Sequence, residues 1–127
     1  MRLYLSLAFL LLFTITPMAQ KSGDTLYVAF WNIENLFDAE NDSLKNDEDF
    51  TPTGSNQWTE ERIEQKMKNL ARVIGDMNEG RGPDVLGMAE VENYNILARF
   101  VNTHLGQHGY GIIHKDSPDE RGIDCAL

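Results

Sequence analysis

From residue 26 onward, the apolar and polar positions of the chain fall into segments of two periods. Leu26-Tyr27-Val28-Ala29-Phe30-Trp31-Asn32 is rich in aromatic and β-branched residues and reads as a strand, as does the short apolar run Asp84-Val85-Leu86-Gly87-Met88-Ala89-Glu90. Each run closes on a polar residue, Asn32 in the first and Glu90 in the second. Between them, Ile63, Met67, Leu70, Ile74 and Met77 recur at spacings of four and three, drawing one face of a helix, while Glu60, Glu64, Lys68 and Arg72 lie off it. Thr59 is placed to cap this helix, Trp58 to staple onto Ile63, and Gly80, Gly82 and Pro83 to stop it. A second stripe, Ile96, Leu97, Phe100, Val101 and Leu105, predicts another helix that ends at Gly106 to Gly109. Residues 110–114 then read as a strand, 115–121 as a polar turn and 122–127 as the start of a further strand.

This alternation of strands and helices predicts an α/β domain with adjacent, partly parallel strands, in which both helical stripes are core. Four strands with helices on one side leave the other face of the sheet uncovered. Together with the strand-like residues 123–127, this leads us to expect part of a longer protein. Residues 38–57 interrupt the pattern as a long polar loop carrying Asp38, Glu40, Asp42, Asp47, Glu48 and Asp49, with Pro52, Gly54, Ser55 and Asn56 behind them.

The amino terminus has a different layout. Met1-Arg2 supplies a positive start, Leu3 to Ile15 a nearly unbroken apolar run, and Ala19 a small residue for cleavage. We read residues 1–19 as a secretory signal, too short to span a bilayer comfortably, and residues 20–127 as the domain. The protein is therefore expected to be secreted or periplasmic, with no stable membrane span once the signal is removed. A formal charge of −9 excludes a nonspecific nucleic-acid binder built on a basic stripe, so a phosphate substrate needs a divalent cation or basic residues beyond this chain. The single Cys125 cannot form an internal disulfide and reads as a small buried hydrophobe.

Polar groups at the carboxyl ends of two strands are where open α/β sheets usually bind ligands, which singles out Glu90, with Asn32 expected as its partner. A strand-end carboxylate suits a hard cation such as Mg²⁺, held by one or two carboxylates with waters and substrate phosphates, although strand-end acids are commonly just solvated. The Asn32 amide can orient a carboxylate or bond a phosphate oxygen, or can simply form a turn. Three other groups are weaker candidates. The acidic loop lacks the central Gly and terminal Glu spacing of a helix-loop-helix calcium site and reads as solvated. His104 and His108 are four apart, but Gly106 and Gly109 favour a surface loop over a ligand pair. Arg121 can reach a phosphate, yet pairing with Asp119, Glu120 or Asp124 is simpler.

The stretches VAFWNIENLFD (28–38), PDVLGMAEVEN (83–93) and RGIDCAL (121–127), in this order, resemble the endonuclease/exonuclease/phosphatase superfamily over nearly all of residues 20–127. That group contains pancreatic deoxyribonuclease, abasic-site endonucleases, sphingomyelinases and inositol-polyphosphate phosphatases. The resemblance implies part of a two-sheet α/β sandwich, deoxyribonuclease-like and incomplete at the carboxyl end. It also implies hydrolysis of phosphoester bonds with Mg²⁺ or Mn²⁺, Glu90 as a direct metal ligand and Asn32 positioning the metal and the scissile phosphate. The family's later residues, an Asp/Asn pair that handles the attacking water and an Asp-His pair, have no counterpart here, and His104, His108 and His114 come too early to serve.

The expected function is thus a metal-dependent phosphoesterase, most nuclease-like in the full-length protein, with these residues alone inactive. Its partner would be a phosphate ester, nucleic acid among the candidates. A lipid or inositol phosphodiesterase is the near alternative, and a noncatalytic exported binding module is the alternative from another class.

Overall fold

The computed structural model describes residues 25–127, so the expected signal at 1–19 lies outside the described residues. The elements run in the order β1 (Val28–Leu36), α1 (Glu60–Gly80), β2 (Val85–Val91), α2 (Tyr94–His104), β3 (His114–Lys115) and β4 (Asp124–Ala126), with short 3-10 turns at Glu48–Phe50 and Gly106–His108. The strands form one sheet in the order β1-β2-β4-β3, with β1 and β2 parallel and the other two pairings antiparallel. The parallel pair is joined through α1, as a crossover connection requires. This mixed α/β fold with partly parallel strands matches the expectation from periodicity.

Both predicted stripes are core. Ile63, Met67, Leu70 and Ile74 of α1 and Ile96, Leu97, Phe100 and Val101 of α2 are buried with Leu86, Met88, Val91 and Ile33 of the sheet. Full burial of one such aliphatic side chain contributes roughly 1.5–3 kcal/mol, so this layer carries the fold. The opposite face is bare. Phe30 is 72% exposed and Val28 66%, with Ile113 and Leu127 also open. Among the described residues there is one sheet, covered by helices on one side.

Several boundaries differ from the sequence reading. β1 continues past Asn32 to Leu36, because left-handed Glu34 and Asn35 (φ 57° and 63°) form a bulge after which Leu36 pairs again with Val91. Regular helix in α1 ends before Met77, whose ψ is 158°, three residues short of the predicted Gly80 stop. Asn78 and Glu79 then turn left-handed, and Asn78 Nδ2 donates to Gly82 O at 3.0 Å. The turn delivers Asp84 to β1, where Tyr27 N donates to Asp84 Oδ2 at 2.8 Å. Thr59 sits at the N-cap, but its side chain makes no cap bond. Instead its hydrogen bond to Glu61 holds that carboxyl below the usual range.

The strand expected at 110–114 shrinks to His114–Lys115, preceded by a reciprocal backbone pair between Ile113 and Leu127. Cys125 is exposed, not buried: it pairs with Ala89, while its neighbours Asp124 and Ala126 point to the other, covered side. Alternation along a strand decides this, and composition cannot. The loop at 38–57 is not simply solvated either. Phe50 stacks on Phe37 at 4.1 Å and meets Trp58 edge-on, and Trp58 Nε1 donates to Phe37 O at 3.0 Å, pinning the loop to the core.

Candidate active site

The bulge in β1 lies beside a second one in β2. Glu90 adopts φ 64° within its strand, and the pairing with β4 skips it, running from Ala89↔Cys125 to Val91↔Asp124. A non-glycine residue held left-handed in a strand marks stored local strain, which typically costs on the order of 1–3 kcal/mol and clusters at functional sites. The result is to aim the Glu90 carboxylate at β1. Asn32 Nδ2 donates to Glu90 Oε1 at 2.9 Å, and Asn32 Oδ1 accepts from Glu34 N at 2.9 Å, so the amide is held at both ends. The two residues singled out in the sequence therefore meet across neighbouring parallel strands, Glu90 next to last in β2 and Asn32 midway along β1, just before its bulge.

Two cations flank the pair. Lys66 of α1 donates to Glu34 O at 2.8 Å. Burial pulls its amine below the ordinary range, against the opposing charges of Glu34 and Glu90. Arg121 forks onto Asp119, with Nη2 2.9 Å from Oδ2 and Nε 3.1 Å from Oδ1. This is the pairing favoured from sequence, with Asp119 the chosen partner. That fork raises the guanidinium's pKa, with a smaller contribution from the Glu90 charge. Lys66 escaped the sequence reading because it sits just beside the apolar stripe, one residue before Met67, where a lysine reads as solvent-facing.

The donor set fits a hard divalent ion. Glu90 keeps one oxygen unused by Asn32, and the bond between them lies open to solvent, leaving room for waters or phosphate oxygens. Asn32, with its oxygen bonded to Glu34 and its nitrogen facing Glu90, is arranged to orient the carboxylate.

A second polar region lies behind the sheet. Asp38, Glu40, Asp42, Glu92, Asp116 and Asp124 line a cleft of about 530 Å³ in which Lys45 is the one cationic lining residue. Glu92 is nearly buried and accepts from Asp38 N at 2.7 Å. Burial pushes its carboxyl up to about 7, and the charges of Asp38, Asp47 and Asp42 add to this against that hydrogen bond. The acids of the 38–57 loop serve mainly as turn acceptors: Asp38 takes Glu40 N, Asp42 takes Leu44 N and Asp47 takes Asp42 N. His104 and His108 do not converge. His104 ends α2 against Glu64 at 3.2 Å, whereas His108 faces Arg81 O at 3.0 Å. Sequence reading also missed His114, which lies between Asp116 and Asp124. Only the antiparallel register of β3 and β4 brings these three together.

The chain matches the Endonuclease/Exonuclease/phosphatase family over residues 27–127, and it belongs to that family. Membership places it in a superfamily of metal-dependent phosphoesterases whose members generally use divalent metals. No curated protein and no solved structure matches it. No helix among the described residues is long and apolar enough to cross a membrane.

Proposed function

We propose that the chain is the metal-holding part of a nuclease-like phosphodiesterase that uses Mg²⁺ or Mn²⁺ and is exported to the periplasm or beyond. The observation that carries this reading is the 2.9 Å bond from Asn32 Nδ2 to Glu90 Oε1, made between neighbouring parallel strands beside two bulges. Glu90 would hold the ion, and Asn32 would fix the rotamer of that carboxylate. The ion, when bound, supplies Lewis-acid stabilisation of the phosphoryl oxygens. Lys66 and Arg121 keep positive charge beside Glu90, where an anionic ester has to approach an acidic protein. The bare face around Val28 and Phe30 is the side on which a second sheet would complete a deoxyribonuclease-like sandwich. The groups that activate the attacking water are proposed to lie beyond these residues, so this chain alone is expected to cleave little.

The test is hydrolysis of plasmid DNA, RNA and a simple phosphodiester by the full-length protein, with Mg²⁺, with Mn²⁺ and with chelator. Glu90→Gln preserves side-chain size while removing the charge. Cation-dependent cleavage that Glu90→Gln abolishes supports the reading; cleavage unaffected by both chelator and substitution overturns it.

A further inference from the structure

The hairpin of β3 and β4 places three candidate ligands on the helix side of the sheet. His114 pairs with Ala126 and Lys115 with Cys125, and Asp116 and Asp124 lie at the turn end of this hairpin. Asp124 is buried, and one of its oxygens is fixed, with Oδ1 accepting from Ser117 N at 2.7 Å. The other, Oδ2, lies 3.1 Å from His114 Nε2. The approach is close but off-line: Nε2 is buried and forms no hydrogen bond, in a side chain only 9% exposed. A buried ring nitrogen left unsatisfied beside a fixed carboxylate is costly unless something else occupies the direction it points.

Two ligand atoms about 2.1 Å from one ion stand roughly 3.0–3.4 Å apart as the angle between them opens from about 90° to about 109°, so the 3.1 Å separation lets both share one ion, as it would also let them form an ion pair. The other ring nitrogen, Nδ1, faces Asp116 Oδ1 at 3.7 Å. That distance is beyond a hydrogen bond, and the Asp116 side chain is 88% exposed. The side-chain ligand atoms of all three residues lie within 4.8 Å of one another. Asp116 and Asp124 also line the acidic cleft, from which water and a further carboxylate can complete the coordination.

We propose that His114 Nε2 and Asp124 Oδ2 form the protein half of a second cation site, separate from Glu90 and selective for a borderline ion such as Zn²⁺ over Mg²⁺. The imidazole ligand sets that selectivity, because Mg²⁺ prefers an all-oxygen shell. The site ties β3 to β4 and closes the 115–123 turn around the ion.

Titration of the full-length protein with Co²⁺, followed by visible d–d absorption, tests this directly. About one equivalent should give bands that Zn²⁺ abolishes by displacement and a large excess of Mg²⁺ does not. His114→Ala and Asp124→Asn should each remove them, while Glu90→Gln should leave them intact. Because either substitution can also disturb folding, the wild-type protein supplies an independent readout. Ring ¹⁵N shifts of its three histidines, assigned with His104→Gln and His108→Gln, should show Zn²⁺ moving Nε2 of His114. Absence of saturable bands, bands that survive both substitutions, or shifts confined to His104 or His108 would overturn the proposal.

Discussion

The corner at Asn32 and Glu90 and the cleft at Asp38, Glu92 and Asp124 hold the same kind of group, yet they treat it in opposite ways. At the corner a carboxylate lies open to water, is oriented by an amide and has Lys66 and Arg121 in electrostatic reach. In the cleft, carboxylates crowd one another, and Glu92 is buried deeply enough to sit near pH 7. An acidic composition is thus not an evenly acidic surface. The cleft gathers several carboxylates around the single Lys45, while positive charge lies beside the residue proposed to meet substrate.

The comparison predicts where substitution hurts function and where it hurts stability. The largest effect is expected for Glu90→Gln, which should lower cation-dependent turnover of the full-length protein by on the order of 100-fold or more, since groups that only support a ligand already contribute 10–100-fold. Its urea midpoint should hold or rise, because the substitution removes no core contact. A large fall in the midpoint would make the corner structural. Asn32→Ala comes next: it frees the Glu90 carboxylate without removing it, and should weaken Mn²⁺ binding by roughly 10-fold or more, measured by titration. Unchanged Mn²⁺ affinity would show that the amide orients nothing.

The cleft should answer to pH. The folded-state pKa of Glu92 is raised from 4.5 to about 7, so its favourable contribution is complete below the unfolded value and is lost as pH rises through about 7. Glu92→Gln removes that dependence, and the variant should exceed wild type above pH 7 by about 1–2 kcal/mol after allowing for solvent screening. Urea unfolding at pH 4.5 and pH 8 measures it. Equal slopes for the two proteins between those points would mean that Glu92 is ionised throughout. The smallest effect is expected for Arg121→Gln, because its pair with Asp119 is solvent-exposed and such pairs add little. Its unfolding midpoint should not move, and a clear fall would show that the Arg121 fork holds the turn in place.

The parts of the fold visible in the sequence are those set by local periodicity. The stripes Ile63 to Ile74 and Ile96 to Val101 are buried as drawn, because a spacing of three and four puts side chains on one face whatever lies opposite. Glu90 was readable as a strand end for a similar reason, whereas Asn32, read the same way, lies midway along β1. That the two are partners was also read from the sequence; the geometry of the contact was not, since it depends on two bulges whose left-handed residues, Glu34, Asn35 and Glu90, are not the glycines that usually signal such turns. Cys125 shows the same limit: its exposure follows from the register with Ala89, a pairing 36 residues away in the chain.

The residue pattern by itself determined that the chain is α/β, which helical residues form its core, and that Glu90 lies at the end of the second strand. Family membership rests on the same kind of information, being a match along residues 27–127. Tertiary structure decided through which atoms the polar groups meet. Asn32 reaches Glu90, Lys66 reaches the Glu34 carbonyl, and His114 reaches Asp124, because sheet register and helix packing bring distant segments together. Hydrophobic burial is nondirectional and follows spacing, whereas a hydrogen bond or a metal ligand requires particular atoms within about 3 Å, a condition that only the assembled chain can meet.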